Sequence, residues 1–114
     1  SLEEAMAAAA DLFDVGLGFE VHELLEPYWR AAHDRTRLAL LGLIQIAVGY
    51  QHLANGNVAG AAALIGEGRA RCAGRRLRDI DLTPFAGAVE AGAGRLAGGV
   101  EAAPPAFPRG FRED

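Results

Sequence analysis

The chain contains no lysine: all eleven of its basic residues are arginine, set against fifteen acidic ones. The resulting formal charge of −4, with a pI near 5.3, gives no bulk attraction to polyanions, so neither nucleic acid nor an anionic membrane is expected as a partner. Cysteine is almost absent. Cys72 stands alone, which excludes an internal disulfide and a multi-cysteine zinc site and makes the cytoplasm the expected compartment. Long apolar runs are missing too: the most hydrophobic stretch, Leu38 to Val48, is too short to cross a bilayer and carries Gln45. No charged segment followed by an apolar one opens the chain, so no signal peptide is expected. Runs of β-branched residues and strict polar–apolar alternation are also lacking, which argues against a sheet-based fold.

What remains is a sequence of 114 residues, 51% hydrophobic and 23% charged, long enough to bury a core without staples. The expectation is one all-α domain over residues 1–114, a single bundle of about five helices. The first helix spans Leu2 to Asp14, with Ser1 and Glu4 spaced as a capping box and Gly16 ending it. A second runs from about Gly18 to Ala32. A third is N-capped by Asp34 and stops at Asn55-Gly56. Asn57 caps a fourth that continues to about Leu77. Thr83-Pro84 reads as N-cap and first position of a fifth, ending near Ala97. The tail, 98–114, holds Pro104, Pro105 and Pro108 and is expected to be extended or wrapped over the bundle.

The third helix is apolar around nearly its whole circumference (Leu40, Leu41, Leu43, Ile44, Ile46, Ala47, Val48, Leu53), the pattern of a central, buried helix. One stripe interrupts it: Gly42, Gln45, Gly49 and His52, spaced to share a face. The glycines permit close approach of a neighbour or ligand, and Gln45 and His52 need partners if buried.

The second helix divides into arcs. Glu20, Glu23, Pro27 and Arg30 face solvent, while Val21, Leu24, Leu25, Tyr28 and Ala32 pack inward. Between them run Phe19, His22, Glu26, Trp29 and His33. His22 and Glu26, at i and i+4, can hold one divalent cation between an imidazole nitrogen and a carboxylate. They can equally form a hydrogen-bonded couple, and Glu26 can also pair with Arg30. Pro27 inside the helix should kink it, tolerably because it lies on the solvent arc.

The segment from Phe19 to Trp29 resembles the signature of a bacterial and archaeal family of small helical proteins, number 309 among the domains of unknown function: His, three residues, Glu, two residues, then Trp or Tyr. The run from Gly42 to His52, followed by Gly56-Asn57 and Gly60-Ala61, is similar to that family's second block. Together the blocks cover about Leu12 to Ile65. The resemblance implies an all-α bundle and a metal-binding role for His22 and Glu26, but no particular reaction or substrate.

With the second and third helices as antiparallel neighbours, the His22–Glu26–Trp29 stripe is expected to face the Gly42–Gln45–Gly49–His52 stripe. His22, Glu26 and His52 would then be ligands for Zn, Mn or Ni, with Trp29, Gln45, Gly42 and Gly49 around them. Three functions stay open: metal binding with metal-dependent hydrolysis; binding of a small polar molecule without metal; or a structural hydrogen-bond network in a protein-interaction domain, homo-oligomers included. Outside these stripes, Arg69, Arg71, Arg75, Arg76 and Arg78 could hold a phosphate or nucleic acid, but their scattered helical angles favour a solvated surface opposing a helix dipole; Cys72, whose pKa those arginines could lower, reads as a small packed thiol.

Overall fold

The computed structural model describes residues 1–97 and 103–110. Its elements, in order, are α1 (Leu2–Asp14), α2 (Gly18–Ala31), α3 (Asp34–Ala54), α4 (Val58–Cys72), β1 (Arg76–Leu77), β2 (Ile80–Asp81) and α5 (Thr83–Ala97). The all-α bundle of about five helices is therefore the observed fold, with one short hairpin added.

Several boundaries follow from local chemistry that the sequence displays. Ser1 Oγ accepts from the Glu4 amide at 3.2 Å and donates to the Glu4 carboxylate at 3.2 Å, a reciprocal cap on α1. Asn57 Oδ1 accepts from the Gly60 amide at 3.1 Å and caps α4. Gly56 leaves α3 with a φ of +86°, the left-handed geometry in which glycine carries no Cβ penalty.

Three expectations need correction. The fourth helix ends at Cys72, not near Leu77: Ala73 is extended, Gly74 has a φ of +75°, and the chain turns into an antiparallel hairpin pairing Arg76 with Asp81 and Leu77 with Ile80. Strands of two residues are too short to show alternation, yet the turn buries Leu77 and the following Leu82 completely. Asp34 is not the cap of α3. His33 holds that position without a side-chain bond, and Asp34 follows in the left-handed region at φ 51°, a conformation Asp tolerates better than most. Thr83 does not cap α5 either; its hydroxyl accepts from the Gly74 amide at 2.9 Å, tying the hairpin to the end of α4. Asp81 Oδ1 takes the Thr83 amide at 2.9 Å, and that bond holds the Asp81 carboxyl below its usual range.

The core is built on α3, which packs against both α2 and α4. Leu40, Leu43, Ile46 and Ala47 are buried there together with Met6 of α1, Val21 and Leu25 of α2, Ile65 of α4 and Val89 of α5. An aromatic group closes one side: Phe13 of α1 meets Tyr50 edge-on at 5.7 Å, Phe85 of α5 at 6.3 Å and Phe107 at 4.9 Å. Of the tail expected over 98–114, residues 103–110 form neither helix nor strand and bury Phe107 on that group; the remainder lies outside the described residues. Among the described residues no helix is long and apolar enough to cross a membrane.

Candidate functional site

α2 presents the arcs its sequence encodes. Glu20, Glu23, Pro27 and Arg30 are exposed, Val21 and Leu25 are fully buried, and His22, Glu26 and Trp29 lie between. Pro27 stays inside one uninterrupted helix. His22 Nε2 stands 3.9 Å from Glu26 Oε2, beyond hydrogen-bond reach, so the two are neighbours and not a bonded couple. The side chains are 44% and 32% exposed, accessible from solvent.

Glu26 is engaged elsewhere. Arg30 donates to its Oε1 from Nη2 at 2.8 Å and from Nε at 3.2 Å. That hydrogen bonding, followed by the Arg30 charge and a smaller pull from His22, holds the Glu26 carboxyl below its ordinary value. Both guanidinium bonds end on the same oxygen. Oε2, the oxygen toward His22, accepts none among the described residues.

Trp29 packs against the core one turn on, with the Arg37 guanidinium 4.6 Å above its ring. Its Nε1 is buried and has no hydrogen-bond partner among the described residues. Arg37 escaped the sequence reading; the signal for it was the short turn at Ala32-His33, which brings the start of α3 back onto the end of α2.

The second stripe does not complete a joint pocket with the first. A Cβ at Gly42 would fall 2.9 Å from both Cys72 Sγ and the Gly68 carbonyl oxygen, and one at Gly49 would fall 2.6 Å from Ile65 Cγ1. These glycines let α4, not α2, approach α3. Gln45 points the same way, accepting from Arg71 Nη1 at 3.0 Å and donating to Glu67 Oε2 at 3.2 Å. The partners that its partial burial demands are thus two α4 side chains, Arg71 and Glu67, and the expected apposition of Gln45 with His22 and Glu26 is overturned. The face that α3 turns to α2 is offset: a Cβ at Gly18 would collide with the Ala47 carbonyl, and the Gly18 amide donates to Gln51 Oε1 at 3.0 Å. His52 sits beside that line, its ring edge-on to Phe19 at 5.5 Å. Among the described residues no three His, Cys, Asp or Glu side chains are grouped to hold a metal ion, so His22, Glu26 and His52 do not form the expected three-donor set.

Fold and stripe together define a small helical-bundle protein that carries a His-x-x-x-Glu-x-x-Trp face on its second helix. Residues 6–64 match the family described as Domain of unknown function (DUF309), just over half of the chain, and the protein belongs to that family. The match runs from Met6 in α1 to Leu64 in α4 and contains both stripes; the hairpin and α5 fall outside it. No match was found among curated proteins or among solved structures.

Proposed function

We propose that the α2 stripe binds a divalent cation between His22 Nε2 and Glu26 Oε2, with the remaining coordination positions left to water and to the molecule the protein acts on. One observation carries this reading: Arg30 occupies only Oε1 of Glu26 and leaves the oxygen nearest the imidazole free. Two donors bonded at about 2.0–2.2 Å in a tetrahedral site lie roughly 3.4 Å apart. The present separation of 3.9 Å therefore closes with a small adjustment of two accessible side chains. An imidazole with a carboxylate suits Zn, Mn or Ni. A clamp with open positions resembles catalytic sites more than structural ones, and a bound divalent cation there would supply Lewis acidity for hydrolysis.

The test is a metal titration of protein prepared without an affinity tag, followed by thermal unfolding. Stabilisation should grow as ln(1 + [L]/Kd) and vanish in His22→Ala and in Glu26→Gln, while Gln45→Ala retains it. Absence of a response to any divalent ion at millimolar concentration would sink the proposal. A second reading, binding of a small polar molecule without metal, is favoured by the buried, unpartnered Nε1 of Trp29, a donor in want of an acceptor. Trp29 is the sole tryptophan, so its fluorescence and indole N–H resonance report on that reading directly.

A further inference from the structure

We infer that the cleft between the start of α3 and the α4–β1 loop binds the phosphate group of a small molecule. The cleft measures about 440 Å³ and is lined by Arg35, Ala73, Gly74, Arg75 and Arg76, with no acidic residue in its wall. Small-molecule sites span about 300–1,000 Å³, so it has room for a phosphorylated compound and not only for an ion.

The three arginines come from two segments, Arg35 from the start of α3 and the adjacent Arg75 and Arg76 from the α4–β1 connection, brought together because α3 begins at the end of the bundle where α4 stops. Other arginines of the same region are already committed. Arg69 pairs with Glu90 at 3.9 Å, Arg78 with Glu3 at 3.4 Å, and Arg71 donates to Gln45. Those of the cleft, among the described residues, have no carboxylate within ion-pair distance. Arg75 Nη1 donates to the Arg71 carbonyl at 2.7 Å and Arg76 Nη2 to the Asp79 carbonyl at 2.8 Å, which leaves most of each guanidinium's donors unused. Asp81, opposite Arg76 in the hairpin, feels that arginine's charge but is held chiefly by the Thr83 amide, and Asp34 precedes Arg35 in the chain.

The helix end adds to the field. His33 gives α3 no side-chain cap, so the first amides of α3, where Arg35 sits, keep their unsatisfied partial positive charge. Gathering three guanidinium groups with no ion pair among the described residues is unfavourable unless an anion fills the space. Guanidinium groups match phosphate oxygens in bidentate geometry, which selects phosphate over halide. The chain's formal charge of −4 weighs against an extended polyanion and favours a compact ester. The site shares no residue with the His22–Glu26 stripe and stands whether or not a cation binds there.

The experiment titrates the full chain with glycerol phosphate, inorganic phosphate and pyrophosphate at ionic strength fixed with sodium chloride, following backbone amide resonances. Saturable shifts confined to Arg35, Thr36, Gly74 and Arg75 are expected. Arg35→Gln, an exposed site with no hydrogen bond to lose, and the double variant with Arg76→Gln should weaken binding at least tenfold, with Arg78→Gln unchanged as control. Unaltered thermal melts establish that these variants fold. No saturation up to about 10 mM, or equal affinity in the double variant, overturns the inference. A single-stranded oligonucleotide that binds more tightly than pyrophosphate and is released by the same substitutions would assign the cleft to nucleic acid and overturn the small-molecule assignment.

Discussion

Cys72 shows how a residue's surroundings outweigh its neighbours in sequence. Five arginines lie within a few positions of it, charges that would lower the pKa of an exposed thiol, although the residue already reads from the sequence as a small packed one. In the fold its side chain is fully buried under Gly42, and burial pushes the thiol up to about 12, with only a weaker opposing pull from Arg75. The folded state therefore holds the proton more tightly than the unfolded chain does. That contribution to stability is complete below the unfolded value, near 9.0, and is lost as pH rises from there toward about 12. Urea unfolding of the wild type should show the loss over that window, and Cys72→Ala should lack this component; identical pH profiles would refute it. For the same reason, alkylation of native Cys72 at pH 8 should proceed no faster than the protein opens. Glu26 illustrates the opposite case. It is half-buried but open to solvent, Arg30 holds its carboxyl below the ordinary value, and Glu26→Gln retains an acceptor for that arginine. The stability of the apo protein should barely change, so loss of a metal response in this variant would report on the site and not on the fold.

At the scale of elements, the α3–α4 contact is set by the absence of side chains. Gly42 and Gly68 face each other so closely that a Cβ on Gly68 would lie 2.6 Å from the Gly42 carbonyl oxygen. Backbone cannot give way as a flexible side chain does. Gly68→Ala should therefore separate the helices and destabilise by about 1–3 kcal/mol, despite a gain of about 1 kcal/mol in helix propensity. Gly87 of α5 has nothing within 4 Å of its would-be Cβ, and Gly87→Ala should stabilise by up to about 1 kcal/mol. Chemical denaturation of the two variants checks the contrast, and similar effects at both positions would refute it. The helix periods, the caps at Ser1 and Asn57 and the solvent arc of α2 were legible because they depend on residues close in sequence. What lines up with what across two helices was not. The stripe Gly42–Gln45–Gly49 was recognised as a contact surface, but periodicity gives only the direction of a face relative to its own axis. Both α2 and α4 are antiparallel neighbours of α3, and only the volumes at Gly68, Ile65 and Ala61 decide that α4 takes this face. His52 fell with it, since one residue of rotation turns it from α4 toward Phe19.

On the scale of the molecule, the family-matched segment, residues 6–64, does not close its own core. Phe13, at the end of α1, packs on Tyr50 within that segment but also on Phe85 and Phe107 from outside it, the three phenylalanine rings meeting one another at 4.9 to 6.3 Å. Phe107 is 2% exposed although the residues around it have no regular structure. A buried ring in a stretch without helix or strand is held by its packing and not by a regular backbone ladder. Beside it, Arg109 Nη2 spans Asp11 and Asp14 at 2.8 Å each, and those two bonds raise the arginine's pKa while fastening the tail to α1. The two attachments differ in kind. The ion pairs lie in water and are screened, whereas the ring fills space in the core that nothing else occupies. Phe107→Ala should destabilise by about 3–5 kcal/mol, a large share of the 5–15 kcal/mol typical of a whole domain. Arg109→Ala should change stability little, and that little should disappear in molar salt. Equilibrium urea unfolding of both variants at low and high ionic strength discriminates. If Arg109→Ala proved the more damaging, electrostatics would be what seats the tail. If neither mattered, Phe13 and Phe85 would have to pack adequately without the third ring, and residues 103–110 would be an appendage of the bundle and not part of its core.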